Sequence, residues 1–410
     1  MMSYVFENAN VFDGVSAELA EGQHLLVADG LIEEISEQPI HSKSAKRVDL
    51  RGATLLPGLI DAHVHANDWS SSPADLMLQP SSLTTLHAAR NLKHMLMRGF
   101  TTVRDACGSD FGLATAVDLG LITAPRLFFV GKALSPTGGH GDDRGPADDC
   151  NPELCGCRER GLCVVVDGET EVRRAARNEL RKGAHAVKIM AGGGVSSPTD
   201  LISNLQFSLG EMKAIVEEAS FRGKYVMAHA YTAESINRCL DVGVRSIEHA
   251  NLIDRETATR VCASDAFVVP TLIVYAAMSE RGAEIGMPKR SIEKIDEITS
   301  AGLESLGHLK DAGVKTGFGS DLFGDLQAEQ SREFLIRSKV DSNIDVLRSA
   351  TSVNADLLNM TGKLGCIRPG AFADLIVVNG NPLNDLNLLQ DQGRNITHIM
   401  KAGAFAKSPS

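Results

Sequence analysis

The sequence predicts an α/β fold: a (β/α)8 TIM barrel with a small composite β-sandwich domain built from the N- and C-terminal segments. Between Leu55 and Gly319, eight short apolar runs alternate with amphipathic stretches at intervals that suit βα units. The first run ends in His63-Val64-His65 and not in the glycine-rich phosphate turn that usually follows the first strand of a doubly wound open sheet. The barrel therefore fits better than the open sheet.

The predicted barrel strands are short runs rich in apolar and β-branched residues. They are Leu55–Val64, Thr101–Asp105, Arg126–Val130, Ala186–Ile189, Tyr225–His229, Ser246–His249, Phe267–Val274 and Lys315–Gly319. Glu211 to Arg222 is a typical intervening stretch, because its apolar residues recur at helical spacing.

Further β-rich runs flank the barrel on both sides. Three precede it, at Tyr4–Val11, Gly22–Val27 and Leu31–Ile35, and two follow it, at Ala373–Val378 and Thr397–Lys401. We expect the two groups to pair into one small sheet. The predicted domains are residues 1–56 with 365–410 for the composite β-sandwich and residues 57–364 for the barrel.

Composition excludes several classes of protein. Hydrophobic residues make up 43% and charged residues 23% of the 410 residues, which are ordinary globular values. The net charge of −11 argues against a nucleic-acid partner, which normally requires a basic excess. The most apolar stretch, Phe267 to Met278, is shorter than the roughly 20 residues of a membrane span. With no signal-peptide pattern at the N-terminus, we expect a cytoplasmic protein without a membrane partner.

Eight cysteines are too few for a disulfide scaffold in a chain of this length. Four of them, Cys150, Cys155, Cys157 and Cys163, fall in an irregular segment between the third and fourth predicted barrel strands. Their spacing does not match common zinc knuckles. Thiols or a local disulfide are therefore favoured over a structural metal, and their role stays open.

Side chains that bind metals stand at the ends of four predicted strands. His63 and His65 are two residues apart, so on a strand both point to the same face, and Zn²⁺ favours such nitrogen ligands. His229, His249 and Asp321 end three further strands. Catalytic residues of TIM barrels sit at the carboxyl ends of the strands. Since packing alone does not explain this set, we predict a metal site.

Lys188 lies in an apolar run that should be buried, where an unpaired ammonium is costly. One solution turns Lys188 outward, onto a carboxylate of a helix. In the other, burial lowers the pKa of the amine so that its neutral form reacts with CO₂. The resulting carbamate is anionic and can bridge two metal ions. The glycines from Gly192 to Gly194 would then leave backbone room for a substrate.

The run Pro57-Gly58-Leu59-Ile60-Asp61-Ala62-His63-Val64-His65 resembles the opening motif of the amidohydrolase superfamily. Lys188, His229, His249 and Asp321 fit its binuclear subset, which carries a carboxylated lysine. Leu364 to Gly370, followed by Ala373-Asp374-Leu375, resembles the return of that family to its composite β domain. The likeness covers essentially the whole chain.

Within the superfamily, the chain most resembles the imidazolonepropionase-related group, in particular binuclear zinc prolidases (Xaa-Pro dipeptidases). Three segments carry this resemblance: Thr137 to Gly141, Val187-Lys188-Ile189 with the glycines up to Val195, and His229-Ala230-Tyr231. True imidazolonepropionases use one metal and no bridging lysine, so Lys188 argues against that assignment.

The resemblance implies two divalent metal ions, expected to be Zn²⁺, and a CO₂-derived carbamate on Lys188. His63, His65 and Asp321 would hold one ion, and His229 and His249 the other. The carbamate and a hydroxide would bridge the two ions, which together lower the pKa of bound water. Asp321 would take the proton of the hydroxide and pass it to the leaving nitrogen.

Further residues are candidates for substrate contacts. Tyr231 is predicted on a loop over the site, where its phenol would stabilise the oxyanion, unless it faces solvent; His140 is a second donor candidate. The backbone amides of Gly193, Gly194 and Val195 are candidates for receiving the substrate α-carboxylate. Three polar residues near the site are interpreted as structural: Asp105, His185 and Glu248.

The function that the resemblance favours is hydrolysis of the amide bond of dipeptides or N-acyl amino acids, first of all as an Xaa-Pro dipeptidase (prolidase). Alternatives are a carboxypeptidase for basic C-terminal residues, an ochratoxin-like amidase, or a lactonase or deaminase of the same fold. A non-catalytic relative is disfavoured because all six ligands are present. We expect a small peptide or N-acyl amino acid as the partner, and a homo-oligomer.

Overall fold

The computed structural model describes residues 2–70, 73–150, 161–287 and 289–409. Within them, short strands alternate with helices along the chain. The strands are β1 (Tyr4–Val11), β2 (Ala20–Ala28), β3 (Leu31–Ser36), β4 (Lys46–Asp49), β5 (Thr54–Pro57), β6 (Leu59–Val64), β7 (Phe100–Asp105), β8 (Arg126–Phe129), β9 (Ala133–Ser135), β10 (Cys163–Val165), β11 (Ala186–Met190), β12 (Tyr225–Thr232), β13 (Ser246–Leu252), β14 (Phe267–Val269), β15 (Lys315–Thr316), β16 (Leu375–Val378), β17 (Ile396–Lys401) and β18 (Ala404–Lys407). The α-helices are α1 (Pro73–Leu78), α2 (Ser81–Met97), α3 (Phe111–Asp118), α4 (Gly168–Arg181), α5 (Leu209–Ser220), α6 (Ala233–Asp241), α7 (Arg255–Ala263), α8 (Leu272–Arg281), α9 (Lys289–Asp311), α10 (Arg332–Arg337), α11 (Asn343–Arg348) and α12 (Asn354–Leu357).

The N- and C-terminal strands share one sheet. Its order is β18-β17-β16-β5-β1-β2-β3, with β4 beside β1. The two ends of the chain meet where β16 runs antiparallel to β5 and places Leu375 opposite Pro57. One face of this sheet is closed by a core that includes Phe6, Leu25 and Leu55. The pairing of the terminal segments is as expected from the sequence, whereas the domain boundaries stay a prediction.

The strands between these ends pair in parallel, in two sheets of order β6-β7-β8 and β10-β9-β11-β12-β13-β14-β15. Backbone hydrogen bonds join the two sheets at both seams: His185 N donates to Phe129 O at 2.8 Å, and Ala62 N donates to Phe318 O at 2.8 Å. The predicted α/β fold is thus confirmed. The hydrogen-bonded strands form two separate sheets and not one closed cylinder. The single closed barrel therefore stays a prediction.

Two predicted strands each join segments that the structure separates. Leu55–Val64 is two strands, because the chain leaves the terminal sheet after Pro57 and enters the parallel sheet at Leu59. Gly58, between them, packs so close to β7 that an added Cβ would lie 2.0 Å from Thr101 Oγ1. The run Phe267–Val274 is a strand only to Val269, and α8 begins at Leu272.

The helices between the parallel strands cover the outside of the sheet. Helix α5 overlaps the predicted stretch Glu211 to Arg222 and begins with a capping box, in which Glu211 N donates to Ser208 Oγ at 3.2 Å and Ser208 N to Glu211 Oε2 at 2.7 Å. Helices α4 to α7 bury apolar side chains against β11 to β14, which fixes the strand ends that carry the site. Among the described residues, none of the helices combines the length and the apolar character that a membrane crossing requires.

Candidate active site

A cleft of about 130 Å³ lies at the carboxyl ends of the parallel strands. It brings together most of the side chains predicted from the sequence. Those in its lining are His63, His65, His140, Lys188, Val195, His229, Tyr231, His249 and Asp321. Gly193 and Gly194 do not line it.

Three of these residues form a group of candidate metal ligands. Ligand atoms of His63, His249 and Asp321 all lie within 4.8 Å of one another. Asp321 Oδ1 lies 3.1 Å from His63 Nε2 and 2.8 Å from His65 Nε2. The ring centroids of His229 and His249 are 4.5 Å apart, so His229 adjoins the group on the side of His249. His249, which the resemblance assigns to the second ion together with His229, therefore also adjoins His63 of the first set.

Each of the four histidines uses its other ring nitrogen for a contact inside the protein. Such contacts orient an imidazole and aim the remaining nitrogen at a metal. The contacts are His63 Nδ1 to Glu248 Oε2 at 2.6 Å, His65 Nδ1 to Cys107 Sγ at 3.4 Å, His229 Nε2 to Gly193 O at 3.1 Å, and His249 Nδ1 to Thr271 Oγ1 at 2.8 Å. The nitrogens left over are Nε2 of His63, His65 and His249 and Nδ1 of His229, and those of His63 and His65 face the carboxylate of Asp321.

The charge states of these groups also suit a divalent cation. Burial lowers the pKa of His229 and of His249 well below the usual value, so both imidazoles are neutral. Burial raises the pKa of Asp321, but His63 and His65 outweigh it and hold that pKa well below its usual range. His229 and His249 thus offer neutral imidazoles near an ionised carboxylate, a donor set that suits Zn²⁺. For His65, burial lowers the pKa, but Cys107 and Asp321 outweigh it and hold that pKa well above its usual value.

The backbone is strained where strands end at the site. His249, Thr271 and Asp321 have φ angles of 77°, 48° and 56°, in the left-handed region that non-glycine residues rarely adopt. Each such residue costs about 1–3 kcal/mol, and these conformations cluster at functional sites. His249 and Asp321 both line the cleft.

Lys188 is buried at the cleft. Its side chain is 2% exposed and lines the cleft, so the interpretation that turns it outward onto a helix is wrong. Burial lowers the pKa of Lys188, although Glu248 and Asp321 oppose this shift. A larger neutral fraction of the amine is what reaction with CO₂ requires.

The structural interpretation of three polar residues fits their contacts. Glu248 is fully buried between His63 and Arg104, whose Nη2 donates to it at 2.9 Å, so it positions a candidate ligand. Asp105 accepts the backbone amides of Ala66 and Ser109. His185 accepts the amide of Phe129 near the start of β11, away from the cleft.

Tyr231 lies in strand β12 and not on a loop, and it is 3% exposed, so the solvent-facing interpretation is wrong. Its hydroxyl lies 2.9 Å from that of Tyr275, and its ring centroid is 5.3 Å from that of His249. Burial raises the pKa of Tyr231, which keeps the phenol protonated and able to donate. Tyr275 was not predicted as a site residue. It directly follows the run Phe267–Val274, which was predicted to be a strand, but it lies in helix α8.

His140 stacks on His229 with ring centroids 4.2 Å apart. Its Nδ1 lies 2.9 Å from Ser197 Oγ, and Ser197 in turn contacts the carboxylate of Asp200. Since the hydroxyl donates its single proton to Asp200, Nδ1 of His140 is the donor to Ser197 and Nε2 is an acceptor. Burial lowers the pKa of His140 to about 4, so the ring is neutral. The donor role predicted for His140 therefore requires the other tautomer.

Two of the backbone amides proposed for the substrate carboxylate are engaged within the chain. Gly193 N donates to Asn204 O at 3.0 Å, and Gly194 N donates to Asp200 Oδ2 at 3.1 Å. The glycines serve close packing instead: a Cβ on Gly194 would lie 2.0 Å from His140 Cε1. Of this predicted group, Val195 alone lines the cleft.

Asp68 is a cleft residue that was not predicted. It is 9% exposed, and its Oδ1 has no hydrogen-bond partner. Burial, together with nearby carboxylates such as Asp143, raises the pKa of Asp68 to about 7, against the effect of His65. Its position three residues after His65 was the signal in the sequence.

The cysteine segment is only partly described. Cys155 and Cys157 lie outside the described residues, so the choice between thiols, a disulfide and a metal stays open for them. Cys163 is a free thiol that lines the cleft together with Cys107.

Comparisons with known proteins show which family and which solved structures the chain resembles. The model of the amidohydrolase family matches residues 54–405. Ochratoxinase of Aspergillus niger is 31% identical over 408 residues, which cover 94% of this chain and 83% of that protein. The crystal structure of an amidohydrolase superposes with a TM-score of 0.98 at 47% identity, over 100% of both chains. The crystal structure of a prolidase complexed with N-methylphosphonate-L-proline superposes with a TM-score of 0.97 at 45% identity, again over 100% of both chains.

Proposed function

The chain belongs to the amidohydrolase family, and on this basis we propose that it hydrolyses the amide bond of dipeptides or N-acyl amino acids, with Xaa-Pro dipeptides as its best substrates. The observation that carries the proposal is the grouping of His63, His249 and Asp321 in one cleft with the buried Lys188. A prolidase that is 45% identical over its whole length binds a phosphonate derivative of proline, which supports proline as the leaving residue.

The proposal assigns two divalent metal ions, with Zn²⁺ as the expected species, to the six predicted ligands: His63, His65, Lys188 as its carbamate, His229, His249 and Asp321. The same proposal includes closure of the parallel strands into a single barrel. Metal ions at such a site lower the pKa of a bound water and polarise a carbonyl, which makes a nucleophile available at neutral pH.

Asp321 performs the proton transfers. Its pKa lies well below the usual range, so it is an ionised base at neutral pH. It accepts the proton of the attacking water and gives it to the leaving nitrogen. The second transfer is needed because an amide anion is a poor leaving group.

Tyr231 donates a hydrogen bond to the carbonyl oxygen as negative charge develops on it. Its hydroxyl shares a 2.9 Å contact with Tyr275, which fixes the phenol in the wall of the cleft. With Nε2 of His140 as an acceptor, Tyr231 is the better donor of the two.

A second candidate is hydrolysis of an ochratoxin-like amide, favoured by the ochratoxinase that is 31% identical to the chain. Both candidates are hydrolyses of an amide bond, and they differ in the substrate that carries it.

A library of dipeptides and N-acyl amino acids, screened with zinc-loaded protein and amine release as the readout, tests the proposal. We expect the highest kcat/KM for substrates that release proline. Faster hydrolysis of an ochratoxin-like amide than of any proline derivative would favour the second candidate. Release of no amine from any member would refute the proposed function.

A further inference from the structure

One buried carboxylate lies behind both of the stacked imidazoles of the cleft. Asp200 is 2% exposed and belongs to the loop between β11 and α5, residues 191–208. His140 and His229 line the cleft with their ring centroids 4.2 Å apart. A single intervening group links each of these two rings to one oxygen of the carboxylate.

His229 is linked to Asp200 through one peptide group. The carbonyl oxygen of Gly193 lies 3.1 Å from His229 Nε2 and can only accept, so Nε2 carries the proton and donates. The amide of Gly194 belongs to the same peptide group and donates to Asp200 Oδ2 at 3.1 Å. Because hydrogen bonds in such a chain polarise one another, the carboxylate strengthens the bond to the imidazole. Nδ1 of His229 is thereby left unprotonated for a metal ion.

His140 is linked to the other oxygen of the carboxylate through a hydroxyl. Ser197 Oγ donates to Asp200 Oδ1 and lies 2.9 Å from His140 Nδ1. Since the hydroxyl has only one proton to donate, Nδ1 of His140 is the donor to Ser197. The backbone amide of His140 donates to Gln206 Oε1 at 2.9 Å, and Gln206 Nε2 donates to Asp200 Oδ2 at 2.9 Å. The ring and the backbone of His140 therefore both depend on Asp200.

Helix α9 completes the surroundings of Asp200. Lys294 of this helix is 8% exposed, and its Nζ donates to Gly194 O at 2.8 Å and to Ser197 O at 3.2 Å. The same Nζ lies 3.4 Å from Asp200 Oδ1. Burial of a charge is tolerated where the charge is paired and hydrogen-bonded, and Asp200 meets both conditions. The carboxylate is thus held in one position relative to the two rings.

We propose that Asp200 is a positioning residue for both imidazoles. It fixes His229 as the tautomer that offers Nδ1 to a metal ion, and His140 as the tautomer that offers Nε2 to the cleft. The proposal rests on the ligand role that the proposed function gives to His229. The arrangement parallels that of His63, whose Nδ1 contacts the carboxylate of Glu248 directly at 2.6 Å. Removal of such a partner from behind a metal ligand weakens metal affinity by about 10–100-fold.

Zinc affinity tests the link to His229. Competition with a chromophoric chelator measures it on the metal-depleted full chain without any substrate, and circular dichroism reports the folding of each variant. Asp200→Asn keeps the shape of the side chain and removes its charge, Asp200→Ala removes the carboxylate, and Ser197→Ala interrupts only the link to His140. Asp374→Asn is the matched control, because Asp374 is 4% exposed and accepts from Ala402 N and Arg126, but lies beside β16 and outside the cleft.

We expect the Asp200 variants to bind one of two zinc ions about 10–100-fold more weakly than the unaltered protein. Ser197→Ala and Asp374→Asn should stay within a few-fold of the unaltered protein. Unchanged zinc affinity in the Asp200 variants that fold, or an equal loss in Asp374→Asn, would overturn the role of Asp200 toward His229. Failure of the unaltered protein to bind zinc would instead refute the metal assignment of the proposed function.

The tautomer of His140 tests the second link. Ring-nitrogen chemical shifts in nuclear magnetic resonance distinguish a proton on Nδ1 from one on Nε2, and the signals of His140 are assigned by their loss in His140→Gln. We expect the proton on Nδ1 in the zinc-free unaltered protein and in Ser197→Thr, which keeps the hydroxyl, and its transfer to Nε2 in Ser197→Ala. A proton on Nε2 in the unaltered protein, or unchanged shifts in Ser197→Ala, would overturn the role of Asp200 toward His140.

Discussion

Replacing Tyr231 by phenylalanine isolates the contribution of one hydroxyl. The ring is retained, so its packing against His229 and His249, with ring centroids 4.8 and 5.3 Å away, should hardly change. The contact that is lost is the 2.9 Å hydrogen bond to Tyr275, which still has Thr271 as a hydrogen-bond partner. The expected loss of folding stability is therefore about 1 kcal/mol.

The expected loss of catalysis is much larger. If the hydroxyl stabilises the oxyanion, its removal lowers kcat by about 10²–10³, equivalent to about 2.7–4 kcal/mol. Steady-state kinetics of proline release should show kcat and kcat/KM falling together with KM nearly constant, because the contact forms mainly in the transition state.

Tyr275→Phe is the matched control for this variant. It breaks the same contact between the two phenols but leaves the Tyr231 hydroxyl in place, so it should cost similar stability and far less kcat. A rise in KM with kcat intact in Tyr231→Phe would place the hydroxyl on the ground-state substrate. Equal losses of kcat in the two variants, or no loss in either, would refute the oxyanion role.

Three further substitutions test the remaining parts of the site. Lys188→Ala should lower metal content and abolish hydrolysis, and short-chain carboxylic acids should partly restore turnover; full activity with normal metal content by elemental analysis would remove the carbamate from the account. Asp321→Asn should keep its circular dichroism spectrum while kcat falls by several orders of magnitude, and a loss of only a few-fold would mean that another group, with His140 first, moves the proton. Glu248→Gln breaks a buried ion pair with Arg104 and should lower the free energy of unfolding, measured in urea, by about 3–5 kcal/mol. It should also weaken metal affinity by about 10–100-fold, because Glu248 positions His63. An unchanged unfolding midpoint would contradict the role given to Glu248.

The sequence predicted the candidate ligands because their signal is local. His63 and His65 are two residues apart on a strand, and parallel strands bring their carboxyl ends to one edge, so residues distant in sequence converge without knowledge of packing. Lys188 was recognisable as a charged residue inside an apolar run. These inferences needed only the period of a strand and the direction of the chain.

The residues that were missed or misjudged depend on tertiary contacts. Tyr231 was expected on a loop, because the sequence does not reveal that β12 continues to Thr232. Tyr275 was hidden because apolar periodicity does not separate a short buried strand from a buried helix; the break at Pro270, which offers no amide to a sheet, was the available clue. The unpaired state of Asp68 appears only once the cleft is assembled around it.

The most direct test of the account is a zinc titration of the metal-depleted chain, with proline release from an Xaa-Pro dipeptide measured at each point. If His63, His65, His229, His249 and Asp321 hold two ions together with the carbamate on Lys188, activity should rise until two equivalents of zinc per chain are bound. Lys188→Ala should not reach that stoichiometry. Saturation of activity at one equivalent, or no release of proline at any zinc content, would contradict the central claim.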